Sequence, residues 1–372
     1  MKKESGREIS VSSSPTSFRD NAFDLIRIVA AGAVLLSHSF PLAGLVEPMV
    51  GRNSTLGSFA VWIFFSLSGY LVAASLTHTA TLREFAKKRM LRVLPALLVF
   101  ILLGAFVIGP LLSNLGVSNY FVQPKTWSYL FANPAFGLQS ELPGVFEGNI
   151  FPLEFNGSMW TIKYELLMYA LLASLAGKNL KRNTIVLFLI FLCGNLVHNF
   201  DVSNINKVFW RIESFTSFTA ERISLLGSIF FSGALVHLIF GRKIPHFIAI
   251  ASGLLLLAAG GSNAFRPVVA VTLPILVIYI AYNCPAFIRK LAPQSDLSYG
   301  VYLWAFTIQQ FYASIGLTGQ VYWGANLLLS AASTFGIAWL SWHWIEKPAL
   351  RFKKKATPEM FIDSKSFAKR SR

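Results

Sequence analysis

The chain has 372 residues, of which 54% are hydrophobic and 13% are charged, and its 33 Lys and Arg residues outnumber 17 Asp and Glu residues to give a formal net charge of +16. Soluble domains usually carry about 25% charged residues, so this composition excludes an ordinary soluble protein and indicates a membrane protein. The positive charge would by itself also suit a nucleic-acid partner, but its distribution along the chain argues against one.

The first 21 residues are polar and rich in serine, and we expect residues 1–21 to form a cytoplasmic tail. The apolar run that follows lacks a cleavage site of the kind that ends a signal peptide. We therefore expect this run to remain in the protein as its first transmembrane helix.

Apolar windows of membrane-spanning length recur along the rest of the chain, which predicts an all-α polytopic membrane protein with about ten transmembrane helices. The windows lie near residues 23–44, 57–76, 91–113, 160–177, 184–200, 223–240, 245–260, 267–283, 297–316 and 323–346. An even number of spans places both termini on the same side of the membrane.

The Lys and Arg residues predict which side that is, because cytoplasmic loops of membrane proteins are enriched in them. With ten spans and a cytoplasmic N-terminus, 25 of the 33 Lys and Arg residues fall in cytoplasmic segments and 6 in external loops. This bias predicts that both termini are cytoplasmic, and it accounts for the net charge without a nucleic-acid partner.

We expect one transmembrane domain over residues 22–346, followed by a basic cytoplasmic tail over residues 347–372 that can contact membrane lipid. Residues 114–159 are predicted to be a long periplasmic loop without obvious secondary structure, and loops of this length often bind ligands. The two cysteines and six histidines show no metal-ligand spacing, so neither a metal site nor a disulfide is expected.

Ionisable side chains inside membrane spans are costly and therefore mark candidate functional sites. The first span carries Arg27 and His38, which share a helix face because eleven residues make about three turns, and which lie about 16 Å apart along the axis. Asp24 is placed to pair with Arg27, whose side chain could also simply reach the membrane interface. For His38, a structural role is the alternative to a functional one.

The next two spans contain a packing segment and a pair of arginines. The segment FFSLSGYLV, residues 64–72, is rich in small residues and predicts close packing between helices, with the lining of a pocket as the alternative. At the start of the third span, Arg89 and Arg92 share a face and form a fork suited to phosphate groups. A simple cytoplasmic charge signal is the alternative interpretation of these arginines.

The fourth span begins within the segment NGSMWTIKYELLMY, residues 156–169. Trp160, Lys163 and Tyr164 cluster at its external end, where an aromatic belt at the membrane interface is the alternative explanation. Glu165 lies a few residues deeper, at a depth comparable to that of His38. We therefore predict that the carboxylate of Glu165 pairs with the imidazole.

Taken in order, these motifs resemble those of the acyltransferase-3 family, membrane O-acyltransferases that modify bacterial surface polysaccharides. The resemblance rests on Arg27, His38, Arg89 and Arg92 and on the segments FFSLSGYL, GSMWTIKYE, LSYGVYLW (297–304) and WIEKPALR (344–351). One departure lies at residues 305–307, where many members have a His-Phe-Pro-like run and this chain has Ala-Phe-Thr. A role for that histidine is therefore not carried over.

The resemblance implies an acyltransferase of the bacterial inner membrane that moves an acyl group, most often acetyl, from cytoplasmic acyl-CoA to a hydroxyl of an external glycan such as O-antigen or exopolysaccharide. Acyl-CoA would be the donor substrate, and no permanently bound cofactor is expected. The candidate residues are Asp24, Arg27, Arg89 and Arg92 for the donor, His38 and Glu165 for catalysis, and Ser158, Trp160, Lys163 and Tyr164 near the acceptor.

In this arrangement, the arm of acyl-CoA would occupy a tunnel from the arginines to His38. His38 would act as a general base oriented by Glu165, or as a nucleophile that forms an acyl-imidazole, and the sequence leaves both routes open. The alternative function is a transporter or flippase of lipid-linked sugars, in which Arg27, His38 and Glu165 would form a proton relay.

Overall fold

The computed structural model describes residues 21–134, 139–177, 179–200, 218–291 and 295–352. In chain order the helices are α1 Phe23–Leu42, α2 Leu56–Thr77, α3 Leu82–Leu112, α4 Val117–Val122, α5 Pro124–Ala132, α6 Trp160–Ser174, α7 Leu180–Asn199, α8 Ala220–Phe240, α9 His246–Ala259, α10 Phe265–Asn283, α11 Ala286–Lys290, α12 Ser298–Ser314, α13 Gly319–Ser341 and α14 Lys347–Arg351. Within these ranges the extended pairings are isolated bridges only, so the predicted all-α class is confirmed.

Each of the ten apolar windows contains a helix of the structure. Six of these helices, α1, α2, α3, α7, α8 and α10, are long and apolar enough to cross a membrane. Three others are shorter, with 15 residues in α6, 14 in α9 and 17 in α12. The helices indicate a multi-pass membrane protein, whereas the count of ten spans stays a prediction.

Side-chain caps define where α2 and α3 begin. The hydroxyl of Thr55 accepts a hydrogen bond from the N–H of Ser58, and that of Thr81 accepts one from the N–H of Glu84, each at 3.2 Å. Such a cap satisfies one of the free N–H groups at a helix start. The cap at Thr81 therefore fixes the start of α3, two to three turns before the two predicted donor-site arginines.

α2 and α8 cross in close contact at two glycines. A Cβ atom on Gly69 would overlap the backbone oxygen of Phe230, and one on Gly233 would overlap the backbone oxygen of Ser66. The two backbones approach this closely because neither glycine has a side chain. The packing predicted for the small-residue segment of α2 is thus present at Gly69, while the neighbouring Ser68 lines a cavity.

The predicted loop over residues 114–159 contains more structure than its sequence indicates. The helices α4 and α5 lie within it. The side chains of Tyr120 and Tyr129 are fully buried, in a hydrophobic cluster that also contains residues of α3 and α12. Aromatic burial therefore holds this segment against the helix bundle. The segment contains short helices that its sequence does not make obvious, whereas its periplasmic location stays a prediction.

The last part of this segment runs into the bundle beside α12. Asn149 donates a hydrogen bond to the carbonyl of Gln310, and Asn156 donates one to the carbonyl of Leu303, at 2.8 and 2.7 Å. Seven residues of α12 separate these two acceptors, which is about 10 Å along the helix. α6 consequently begins inside the bundle, and this accounts for its short length.

Most of both predicted tails lies outside the described residues, because the described chain begins at residue 21 and ends at residue 352. Their cytoplasmic location stays a prediction. The basic segment after the last predicted span begins as the short helix α14.

Candidate active site

A cavity of about 500 Å³ lies at the end of the bundle where α1, α3 and α12 begin. We call this the arginine end, because Arg27, Arg89 and Arg92 line the cavity there. Three carboxylates line it as well, those of Asp24, Glu165 and Asp296. The cavity has the size of a typical small-molecule site, but its formal charges balance, in contrast to the basic mouth that the sequence predicts.

The carboxylate of Asp296 connects α1 to α3. Its Oδ2 lies 3.1 Å from Nη1 of Arg27 and 2.5 Å from Nη2 of Arg92. Its Oδ1 accepts a hydrogen bond from the hydroxyl of Ser298 at 2.6 Å. We call these three charged residues the arginine–aspartate hub. A single anionic oxygen between two guanidiniums makes the same contacts that a phosphate oxygen would make.

Each arginine of the hub has a second carboxylate partner. Asp24 lies 3.3 Å from Nη1 of Arg27, so the predicted pair on α1 is present. Glu346 lies 3.4 Å from Nη1 of Arg92, and its side chain is only 2% exposed. Glu346 ends a π-helical segment, Trp342–Glu346, that connects α13 to α14.

Asp296 lies in the connection before α12, outside the helical spans. Burial acts to raise the pKa of its carboxyl group, but the guanidiniums of Arg92 and Arg27 and hydrogen bonds from Ser298 outweigh burial and lower this pKa to about 2. The carboxylate is therefore ionised at neutral pH and stabilises two neighbouring positive charges.

Arg89 differs from the two arginines of the hub. Its Nη2 lies 3.5 Å from the hydroxyl of Ser75, and its Nε is buried without a hydrogen-bond partner. Within the described ranges, no carboxylate forms an ion pair with it. Arg89 is therefore the guanidinium in this cavity that is most available to an anionic ligand.

Glu165 does not pair with His38, and that prediction is wrong for this structure. Its carboxylate accepts hydrogen bonds from the hydroxyls of Ser68, at 2.8 Å, and Tyr169. Tyr169 follows Glu165 by four residues on α6, so both side chains share the helix face directed at α2 and the cavity. Glu165 is instead a polar group in the cavity wall.

Tyr302 closes the deep end of the cavity. Its hydroxyl donates to the carbonyl of Ser158 at 2.8 Å and lies 2.7 Å from the hydroxyl of Thr161. Its ring packs against Phe64, with 5.9 Å between ring centroids. Tyr302, Thr161 and Phe64 line the cavity, whereas His38 does not. The continuous tunnel predicted between the arginines and His38 is therefore interrupted at Tyr302.

His38 lies about one helical turn beyond this deep end. Its neighbour Ser37 accepts a hydrogen bond from the N–H of Gly57, at the start of α2, at 2.7 Å. Val61, four residues further along α2, lines the cavity. Four residues correspond to about 6 Å along a helix, so the half-buried His38 lies about one helical turn from this part of the cavity wall.

Ser158 and Phe306 contact His38 directly. Nδ1 of His38 lies 3.5 Å from Oγ of Ser158, and the imidazole meets the ring of Phe306 edge-on, with centroids 5.6 Å apart. The backbone of Ser158 is fixed on both sides, because its N–H donates to Asn156 at 2.9 Å and its carbonyl accepts from Tyr302. Ser158, rather than Glu165, is thus placed to orient the imidazole.

Trp160, Lys163 and Tyr164, the other residues predicted near the acceptor, lie on a different face of α6 from Glu165 and Tyr169. The guanidinium of Arg222, in α8, lies 4.3 Å from the ring centroid of Trp160. The amine of Lys163 lies 5.0 Å from the ring centroid of Phe218. Tyr164 is fully buried. Of this predicted set, the structure places Ser158 beside the imidazole and the other three beside the start of α8.

The described residues contain no group of three or more His, Cys, Asp or Glu residues placed to hold a metal ion. Cys193 and Cys284 are both free.

A family model described as an acyltransferase domain matches residues 20–343. The match covers most of the chain and includes the arginine–aspartate hub, Ser158, Tyr302 and His38. The chain belongs to the acyltransferase-3 family. It is therefore a membrane O-acyltransferase, which uses an acyl donor and an acceptor, and its enzyme class argues against the alternative of a transporter.

Known relatives extend over nearly the whole of this acyltransferase. An O-acetyl transferase of Shigella phage Sf6 is 30% identical over 354 residues, which cover 93% of this chain and 99% of the relative. Nodulation protein 10 of Rhizobium leguminosarum bv. viciae is 27% identical over 360 residues, which cover 90% of this chain and 94% of the relative. No solved structure matches the chain with significance.

Three residues of the acyltransferase site are not among the candidate residues that the sequence predicts. Tyr302 and Glu346 lie within the two late segments that carry the family resemblance, and Asp296 immediately precedes the first of them. The sequence does contain an indication for Asp296 and Glu346, because each carboxylate lies at the edge of a predicted span, at the same end of the bundle as the arginines. A carboxylate in that position can neutralise an arginine inside the bundle.

Proposed function

We propose that this acyltransferase moves an acyl group, most commonly acetyl, from acyl-CoA bound at the arginine end to a hydroxyl of a glycan, such as O-antigen or exopolysaccharide, bound at the opposite end. The main support is the position of His38, about one helical turn beyond the deep end of a cavity whose mouth carries three arginines. Acyl-CoA is an extended donor with phosphates at one end and a thioester at the other, which suits such a cavity. The relative called an O-acetyl transferase supports acetyl as the group transferred.

The walls of the cavity suit the arm of this donor, which is a flexible chain containing amide groups. The hydroxyls of Ser68, Thr161 and Tyr169 and the carboxylate of Glu165 lie along its length. The hydroxyls can donate hydrogen bonds to amide carbonyls, and both the hydroxyls and the carboxylate can accept them from amide N–H groups. Glu165 thus remains a site residue, as part of the donor pocket.

Transfer requires the ring of Tyr302 to leave the deep end, so that the thioester can reach His38. In the reaction, Ser158 accepts the hydrogen bond of Nδ1–H, which leaves Nε2 free to take the proton of the acceptor hydroxyl. The hydroxyl oxygen attacks the thioester carbonyl, the carbon–sulfur bond breaks, and the CoA thiolate takes up the proton from the imidazolium. An acyl-imidazole formed by attack of His38 itself is the second route for the same residue.

We further propose that the ten apolar helices all span the bacterial inner membrane, with both termini in the cytoplasm. The distribution of Lys and Arg residues supports this topology. It places the arginine end on the side where acyl-CoA is made, and it directs the end of α1 that carries His38 towards the external face.

The test is incubation of the purified protein with acetyl-CoA labelled in the acetyl group, in the presence of surface glycan. We expect free CoA to be released and the label to appear as an ester on the glycan. Movement of lipid-linked sugar across a membrane without consumption of the thioester would contradict the proposal and would favour the proton-relay transporter.

A further inference from the structure

The arginine–aspartate hub conflicts with simple binding of a polyanion. The cavity carries as many carboxylates as guanidiniums, so an incoming chain of phosphates finds little net positive charge. Both arginines of the hub are already paired with acidic side chains. A phosphate group can therefore take the bridging position between Arg27 and Arg92 only if the carboxylate of Asp296 leaves it.

We propose that Asp296 is an internal substitute for a donor phosphate: its carboxylate holds Arg27 and Arg92 in the empty enzyme and is displaced from them when acyl-CoA binds. This inference rests on the proposed function, because it takes acyl-CoA as the ligand. It assigns Asp296 to a positioning role that sets donor affinity through the two arginines.

The geometry of the hub supports displacement of Asp296 in particular. Its carboxylate bridges both guanidiniums through one oxygen, it lines the cavity, and its side chain is 12% exposed. Glu346, the other partner of Arg92, does not line the cavity and is 2% exposed. A ligand that enters the cavity therefore contacts Asp296 directly, while Glu346 can hold Arg92 in place from outside the cavity lining.

Bridging by Asp296 also explains how the empty enzyme tolerates the two arginines. Two guanidiniums that contact the same oxygen atom lie close together and repel each other, and an anion between them removes this repulsion. A phosphate group offers the same bridging contacts with more oxygen atoms and more charge. The exchange of one anion for another leaves the guanidiniums paired at each stage.

Arg89 completes the exchange, because it forms no ion pair within the described ranges and lines the same cavity. It can hold a first phosphate before the hub opens. Return of Asp296 to the arginines would then promote release of the CoA product. Asp296 thereby lowers the affinity for the donor and speeds release of the product.

The test is the dissociation constant of CoA for the purified wild-type protein and for Asp296→Asn. Removal of the internal competitor should tighten CoA binding by at least about 5-fold, the lower end of typical coupling between two sites. Asp24→Asn is the matched control, because Asp24 lines the same cavity but, among the described residues, forms an ion pair with Arg27 and not with Arg92. Its effect should be smaller. Pantetheine, which has no phosphate, should bind the wild type and Asp296→Asn equally.

The opposite role for Asp296 makes the opposite prediction. If it only orients the arginines for the donor, Asp296→Asn should bind CoA more weakly than the wild type, and that result, or an unchanged constant, would overturn the inference. Asp296→Ser provides the same measurement with a smaller side chain should the first variant fail to fold. If the wild type binds no CoA and consumes no acetyl-CoA, the proposed function itself is wrong.

Discussion

The proposed base, His38, is surrounded by a serine hydroxyl and an aromatic ring rather than by a carboxylate. Ser158 lies at Nδ1, and Phe306 packs edge-on against the imidazole. Among the described residues, no carboxylate forms a hydrogen bond with this ring. A neutral imidazole whose Nδ1–H is held by a hydroxyl has a free Nε2 lone pair, which is the form that a general base needs.

Replacement of this imidazole should stop the chemical step and leave donor binding intact. For His38→Ala we expect acyl transfer to fall by about 10²- to 10⁴-fold, the usual contribution of a positioned base, with no change in the dissociation constant of CoA. Phe306→Leu, which alters the packing of the ring but keeps the base, should lose far less activity. A folded His38→Ala protein with normal transfer would contradict the assignment.

The roles of Ser158 and Glu165 are distinguished by which kinetic constant changes. Ser158→Ala should lower kcat with little change in KM, because the serine contacts the base. Glu165→Gln should mainly raise KM for acyl-CoA, because this carboxylate lies in the cavity wall. Steady-state kinetics of the two variants check both statements, and the reverse pattern would restore Glu165 as the partner of the imidazole.

A carboxyl group in the loop before α6 gives a prediction about stability and pH. Burial, together with the nearby charge of Glu141, raises the pKa of Glu154. A carboxyl group with a higher pKa in the folded protein than in the unfolded chain lowers stability once the pH exceeds its unfolded value of about 4.3. Glu154→Gln should therefore raise the Tm at about pH 8 and leave it unchanged at about pH 4. A lower Tm at the higher pH would contradict this.

At the scale of helices, two arrangements build the site. The segment ending at Asn156 enters the bundle beside α12, so α6 starts next to Tyr302 and places Ser158 at the imidazole. The crossing of α2 and α8 at their glycines holds α2 in place, and α2 supplies Ser68 and Val61 to the cavity. The site thus depends on backbone approach as well as on its polar side chains.

The helix crossing should be intolerant of a single methyl group. For Gly69→Ala, overlap with the backbone of α8 should lower the free energy of unfolding by about 1–3 kcal/mol, the usual cost of overpacking. Gly336→Ala in α13 is the control, since a Cβ atom there meets nothing within 4 Å. Thermal unfolding in detergent measures both. Equal stability of the two variants would show that α2 and α8 do not cross at these glycines.

At the scale of the whole molecule, hydrophobic length predicts the helices well, because a membrane-spanning run must satisfy its backbone within one helix. A helix in each of the ten windows and the Asp24–Arg27 pair follow from local pattern alone. The insertion of the loop beside α12 does not follow, because it depends on amide and hydroxyl contacts between residues about 150 positions apart, such as Asn156 and Leu303.

Two wrong predictions for the site, the Glu165–His38 pair and the basic mouth of the cavity, likewise depend on contacts between residues that are distant in the sequence. Counting residues from the predicted membrane boundary gives Glu165 and His38 a comparable depth, but α6 begins inside the bundle. Glu165 therefore contacts Ser68, which lies eleven residues, about 16 Å, along α2 from the contact between Gly57 and Ser37. Asp296 escapes a search for charges inside spans because it lies in a connection outside them. The balance of charge in the cavity depends on that residue.

In the proposed reaction, an acyl group enters at the arginine end and leaves from His38 at the other side of the membrane. The direct measurement uses vesicles with the protein in one orientation, acetyl-labelled CoA on the side of the arginine end and glycan only on the opposite side. Labelled glycan is expected with the wild type, and at least about 10²-fold less label with His38→Ala. Labelling only when donor and glycan share the same side, or equal labelling by His38→Ala, would contradict the proposed reaction.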